Sequence, residues 1–136
     1  KNAINSSSID SETIDYIILA HNIGDVSKGS IQVDAMPSLA SRVKSKLGIK
    51  NPNCVAYDIL FGCPGWLEGL IQSNCFIKSG IAKRCLVIGS ETLSRVVDSN
   101  DRDGMIFSDG AGAVVTELNS NSDGILSQKT VQKRKN

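Results

Sequence analysis

The sequence carries almost no net charge: fifteen lysines and arginines stand against fourteen acids, a formal +1 over 136 residues. So balanced a chain generates no field that would steer it to nucleic acid or anionic lipid, and neither partner is expected. Long hydrophobic runs are also missing. The longest, "YIILA" and "CLVIG", are far too short to cross a bilayer, and no charged segment leads into an apolar signal core near the start. No membrane role is expected, and the chain reads as cytoplasmic. Histidine is nearly absent, with one in the chain, and Cys54, Cys63, Cys75 and Cys85 form no CxxC pair. That spacing offers neither a zinc set nor a disulfide scaffold, so no metal and no cofactor is expected. There is no GxGxxG after the first apolar run, where "AHNIGDVSKG" stands, and no GK[ST]. A doubly wound nucleotide-binding oxidoreductase loses its support on that ground. No internal repeat is visible, and only "NSSS" is compositionally biased. The chain begins at Lys1 without methionine and stops in "VQKRKN", so it is expected to be a piece of something longer.

What is present is one ordinary core's worth of apolar residues, 40% of the chain, in a pattern that alternates two periods. Short runs rich in β-branched residues alternate with longer segments of helical period, as in α/β folds. Four strands are expected: Tyr16 to His21, Cys54 to Leu60, Cys85 to Glu91 and Gly112 to Leu118. The first three are near-continuous apolar runs, the mark of strands covered on both faces. Between the first two, "MPSLASRVKSKLGI" repeats Leu39, Val43 and Leu47 at intervals of four, with Pro37 suited to a first turn and Gly48 to a left-handed stop. Arg42, Lys44 and Lys46 should face water. Between the second and third strands, "PGWLEGLIQSNCFIKSG" is apolar around much of its circumference and predicts a mostly buried helix. "NSNSDG" marks a turn, "ILS" suggests a further strand, and residues 128–136 read as a basic tail or a broken connection after a domain over 1–127.

Within that frame Cys63 of "LFGCPGW" sits where a strand ends and a helix begins, with Pro64 at the first helical position. Free backbone N–H groups and the positive end of the helix dipole converge there, which favours a thiolate and could hold an oxyanion. Strand-to-helix turns present nucleophiles in several hydrolase and transferase folds. Two readings stand: a presented nucleophile, or a small apolar space-filler. Cys54 and Cys85 in strands and Cys75 in mid-helix read as space-fillers. His21 ends the first strand, either as a base or as a strand-end histidine bonded to backbone. In "FSDGAGAVV", Gly110 and Gly112 permit a tight turn or a close backbone approach.

Taken together, "DILFGCPGWLEGLIQSNCFIKSGIAKRCLVIGSETLSRVVDSNDRDGMIFSDGAGAVV" resembles the thiolase-fold condensing enzymes, and most of all β-ketoacyl-acyl-carrier-protein synthase III. The features that carry it are a cysteine at a helix start, "SG" closing that helix, an apolar strand ending in "GSE", then "DR" and "DGAGA", in family order. The likeness runs from about Asp15 to Ser127. It implies a thiolase-like α/β fold, the first of two duplicated halves of a layered α/β/α/β/α architecture. It implies that Cys63 is the catalytic nucleophile, accepting an acyl group from acyl-CoA before condensation with malonyl-acyl carrier protein in fatty acid biosynthesis. Arg102 matches a family arginine that contacts the nucleotide of coenzyme A, and is otherwise a surface arginine. Met36, Leu93 and Ile106 match residues lining the acyl pocket, and are otherwise core packing. A homodimer formed through the strand around "CLVIGSE" is expected.

The resemblance also implies what this stretch lacks. In the family a histidine and an asparagine of the second half work with the cysteine; neither motif occurs here, and His21 is not their counterpart. An isolated chain is therefore expected to be inactive in condensation. The alternatives are another thiolase-fold synthase, of polyketide or hydroxymethylglutaryl-CoA type, and a non-catalytic scaffold subunit of the same fold.

Overall fold

The computed structural model describes residues 1–27, 29–30, 32–98, 100–119 and 124–131. Its centre is β1 (Tyr16–His21), whose last five residues are all buried. A strand buried on both faces needs neighbours on both edges and cover above and below. β1 lies parallel to β4 (Val55–Leu60), with Tyr16 opposite Val55 and His21 opposite Leu60. On its other edge it lies parallel to β5 (Arg84–Glu91), with Tyr16 opposite Cys85 and Ala20 opposite Gly89. β6 (Gly110–Glu117) closes the sheet antiparallel to β5, giving the order β4-β1-β5-β6. All four expected strands exist, with ends displaced by at most two residues.

Two helices cover the sheet. α2 (Leu39–Leu47) begins at Ser38, whose hydroxyl accepts the Ser41 N–H, and ends at Gly48 in the left-handed region, φ 75°. It packs Ala40, Leu39, Val43 and Leu47 on Ile17 and Leu19 of β1. α3 (Gly65–Lys78) covers the opposite face and buries Gly65, Gly69, Ser73 and Ile77, one residue per turn. The small residues set the depth of that contact. A Cβ on Gly69 would stand 2.9 Å from Val87 Cγ1 and 3.4 Å from Ile18 Cγ2, so the helix lies as close to the sheet as packing permits.

Several expectations need correction. α3 is not mostly buried: Leu67 is 56% exposed and Trp66 and Cys75 are also exposed, because the glycine stripe, not the large apolar side chains, faces the sheet. Cys75 therefore fills no space. Pro64 is the residue before the helix, and Gly65 is its first. Arg42 and Lys44 do not simply face water. Arg42 pairs with Asp25 and Asp34, and Lys44 donates to the Cys54 carbonyl at 2.6 Å. "ILS" forms no strand. Residues 120–123 of "NSNSDG" and 132–136 of the basic tail lie outside the described residues. β5 is an interior strand with both edges paired, so a second copy has no edge of β5 to extend; the sheet's edges are β4 and β6.

Six short elements carry no strong periodic signal and were not expected. α1 (Asn2–Ser7) contributes Ile4 to the core. A two-stranded hairpin, β2 (Asp25–Val26) with β3 (Val33–Asp34), fills the connection after β1, and short 3-10 turns occupy Ser11–Thr13, Leu93–Arg95 and Arg102–Ile106.

Candidate active site at the carboxyl edge of the sheet

β1, β4 and β5 run the same way and end together, at His21, Leu60 and Glu91. In open α/β sheets this edge is where ligands bind. Four residues separate β4 from α3, and the turn they make is tight. Gly62 takes φ +73°, its carbonyl accepts the Gly65 N–H at 3.0 Å, and a Cβ on Gly65 would meet the Ala20 Cβ at 3.1 Å. The helix start is thus pinned against β1. Cys63, one residue into the turn, is lifted out and exposed. Pro64 offers no side-chain cap, so the first-turn N–H groups of α3 are left without a side-chain acceptor beside the thiol. That arrangement fits anionic sulfur and developing oxyanion charge.

The remaining cysteines contrast with it. Cys54 and Cys85 are buried; burial raises the Cys54 thiol and pushes Cys85 up to about 12. Neither is poised as a nucleophile. Cys75 is exposed on mid-helix, where Gln128 Nε2 donates to its sulfur at 3.2 Å.

Around Cys63 the surface is apolar. Phe61, Pro64, Leu67, Glu68 and Ile71 line a cavity of about 490 Å³, bounded on its far side by Lys129 to Val131. Thr130 holds that segment by donating to Glu68 Oε2 at 3.1 Å. The other singled-out residues lie elsewhere. Arg102 is exposed, makes no hydrogen bond or ion pair among the described residues, and lines a separate cavity of about 470 Å³ with Val97, Met105 and Phe107. Met36 is 80% and Ile106 75% exposed, so neither is packed in this chain's core. Leu93 is half-buried in its 3-10 turn. None of the four lines the cavity of about 490 Å³, and neither does Cys63 itself, although Phe61 and Pro64 of its turn do.

His21 bonds to a side chain, not to backbone: its Nε2 lies 3.1 Å from Asp58 Oδ2. Asp58 also accepts the Leu39 and Ala40 N–H groups at 2.7 and 2.8 Å, so one carboxylate ties the start of α2 to β4 and β1. The only sequence hint was an acid inside an apolar strand. Gly110 and Gly112 open no close approach: a Cβ at either meets nothing within 4 Å. Just before them, Asp109 accepts the Ser94 hydroxyl at 2.5 Å and the Ser94 N–H at 2.9 Å, and these bonds hold its carboxyl below the usual range.

A mixed sheet whose parallel strands end beside an exposed thiol, at the start of a helix set on a glycine stripe, has the architecture of the thiolase-like enzymes. The chain matches the family described as 3-Oxoacyl-[acyl-carrier-protein (ACP)] synthase III over residues 57–133, and it belongs to that family. It is 44% identical, over 128 residues, to the beta-ketoacyl-[acyl-carrier-protein] synthase III of Neisseria meningitidis serogroup B, covering 93% of this chain and 37% of that protein. A Vibrio cholerae synthase III is 42% identical over 128 residues, with the same coverage. Among solved structures, the 3-oxoacyl-[acyl-carrier-protein] synthase III of Aquifex aeolicus VF5 superposes with a TM-score of 0.75 and 38% identity, over 88% of this chain and 36% of that one. The chain thus spans a little over a third of the length of these relatives.

Proposed function

We propose that this chain is the cysteine-bearing first half of a synthase III-type acyltransferase of fatty acid biosynthesis, and that Cys63 is its nucleophile. The observation that carries the reading is the exposure of Cys63 on a pinned strand-to-helix turn, while the other thiols are buried or stand on mid-helix. The Cys63 thiolate attacks the carbonyl carbon of an acyl-CoA thioester, the bond to the coenzyme A sulfur breaks, and coenzyme A leaves as a thiolate that takes up a proton. Malonyl-acyl carrier protein then loses carbon dioxide. Its carbanion attacks the acyl-Cys63 carbonyl and expels the Cys63 sulfur, giving the 3-ketoacyl product. In both steps negative charge gathers on the thioester oxygen, and the Cys63 N–H donates to it in this reading. Arg102 serves the nucleotide of coenzyme A through stacking and phosphate pairing. Met36, Leu93 and Ile106 serve the acyl pocket; the exposure of Met36 and Ile106 supports a pocket completed by further chain, including a second copy in a cytoplasmic homodimer. Residues 1–127 are proposed as the half-domain, and 128–136 as a basic tail or the connection to the second half.

The family's histidine and asparagine belong to the second half, so the isolated chain is proposed to acylate weakly and not to condense. Intact-mass measurement before and after incubation with acetyl-CoA and longer acyl-CoAs tests this. One added acyl group, absent in Cys63→Ala, is the expected result. Acylation persisting in Cys63→Ala, or no acylation in a longer protein that includes the second half, overturns it.

A further inference from the structure

Met36, 80% exposed, stands in a segment that one side chain grips on both sides. Arg42 Nε donates to the Pro37 carbonyl at 2.9 Å and Nη2 donates to the Asp34 carbonyl at 3.2 Å, so a single guanidinium holds the backbone before and after Met36. It also reaches two acids. Nη1 lies 3.1 Å from Asp25 Oδ2, and Nη2 lies 2.9 Å from Asp34 Oδ2. Asp25 and Asp34 are directly opposite each other in the β2–β3 hairpin, where like charges repel. A cation between them relieves that repulsion, and the planar fork of an arginine can serve two carboxylates and two carbonyls at once.

The grip has a firm base. Arg42 belongs to α2, whose start is tied to the sheet by the Asp58 carboxylate through the Leu39 and Ala40 N–H groups and by the full burial of Ala40. Arg95 Nη1 secures the hairpin from the other side, pairing with Asp25 Oδ1 at 3.0 Å and donating to the Val26 carbonyl at 2.9 Å. Stability is a poor reason for such a clamp, because the Asp25 and Asp34 side chains are 44% and 66% exposed and ion pairs so open to water contribute little. Its main consequence is positional. A single exposed apolar residue needs no explanation, but one whose two flanks are held by a dedicated side chain does.

We propose that Arg42 is a positioning residue: by holding Asp34 and Pro37 it fixes where Met36 stands in the acyl pocket, and thereby the length of acyl chain that the pocket accepts. The inference rests on the reading of Met36 as an acyl-pocket residue. Arg42 itself touches no substrate.

The ratio of kcat/KM for octanoyl-CoA to that for acetyl-CoA, measured on the protein that includes the second half, tests the role. Met36→Ala opens space along the acyl chain and should raise the ratio about tenfold, the scale of a methylene or two in an apolar pocket. Arg42→Ala keeps Met36 but frees its flanks, and should raise the ratio roughly three- to tenfold. Arg42→Lys keeps a cation near the two acids but cannot span both carbonyls, so it should act in the same direction, and it serves as the test if Arg42→Ala does not fold. A purely structural role would lower both kcat/KM values together and leave the ratio alone. The double variant Met36→Ala/Arg42→Ala should show the ratio of Met36→Ala, because Arg42 acts through Met36. A raised ratio in Met36→Ala with an unchanged one in the Arg42 variants overturns the inference and leaves the pocket reading standing, as do additive effects in the double variant. An unchanged ratio in Met36→Ala overturns the pocket reading of Met36, and the inference with it.

Discussion

The two ends of the parallel strands are built by opposite rules. At the amino end, carboxylates close the fold: Glu12 accepts the Lys50 and Asn51 N–H groups at 2.9 and 2.7 Å, and Asp15 accepts those of Lys83 and Arg84 at 2.6 and 3.1 Å. Ile14, Cys54 and Cys85 are all buried there. At the carboxyl end, Leu60, Phe61, Trp66 and Leu67 remain exposed around Cys63. The same residue type is inert at one end and presented at the other. Parallel pairing explains the difference, since it carries the amino ends of β1, β4 and β5 to one edge and their carboxyl ends to the other. One edge can be sealed for stability while the other is left for chemistry.

Exchanging the properties of the two ends tests that contrast. The largest effect is expected from Cys63→Ala, which should abolish acyl adduct formation by mass while moving the denaturant midpoint by less than about 0.5 kcal/mol, as for an exposed side chain. Gly69→Leu should do the reverse. Its side chain would be forced between Val87 and Ile18, costing about 1–3 kcal/mol in urea unfolding. Asp15→Ala strips the acceptor from two backbone N–H groups at the sealed end and should cost about 1–2 kcal/mol by the same measurement.

The pH response should be smaller and of one sign. The native Cys85 thiol keeps its proton up to about 12, whereas in the unfolded chain it ionises near its ordinary value of 9.0. Between those values the unfolded state binds fewer protons, so stability falls as pH rises. Tyr57, raised to about 12 by burial, acts in the same direction above its ordinary 10.0. Urea midpoints should therefore decline across roughly pH 9 to 12, with a shallower slope in Cys85→Ala. Least of all, Arg102→Ala should leave stability within about 0.5 kcal/mol, because the side chain touches no partner among the described residues.

Local pattern reveals some of this architecture and hides the rest for identifiable reasons. β1 was legible to the residue, because a strand buried on both faces must be apolar throughout. α2 was legible through its four-residue spacing and its glycine stop. The hairpin after β1 was not, since two-residue strands are held by the pairing of Asp25 and Arg42 across the fold and leave no period to read. The orientation of α3 was misread for a related reason. Counting apolar residues points the helix inward by Leu67 and Cys75, but close packing on Val87 and Ile18 rewards its glycines instead. Likewise Asp58 joins three elements that lie up to 37 residues apart, which no local window contains.

By itself the sequence determined the class of fold, the order of the long elements and the position of Cys63 at a strand-to-helix turn, because apolar period, proline and glycine act over a few residues. Tertiary structure alone decided which thiol is open and which closed, which face of α3 meets the sheet, and that His21 pairs with Asp58. Those outcomes depend on what arrives from distant parts of the chain. Burial and hydrogen-bond partnership are properties of the assembled sheet, and no residue holds them before its neighbours are in place.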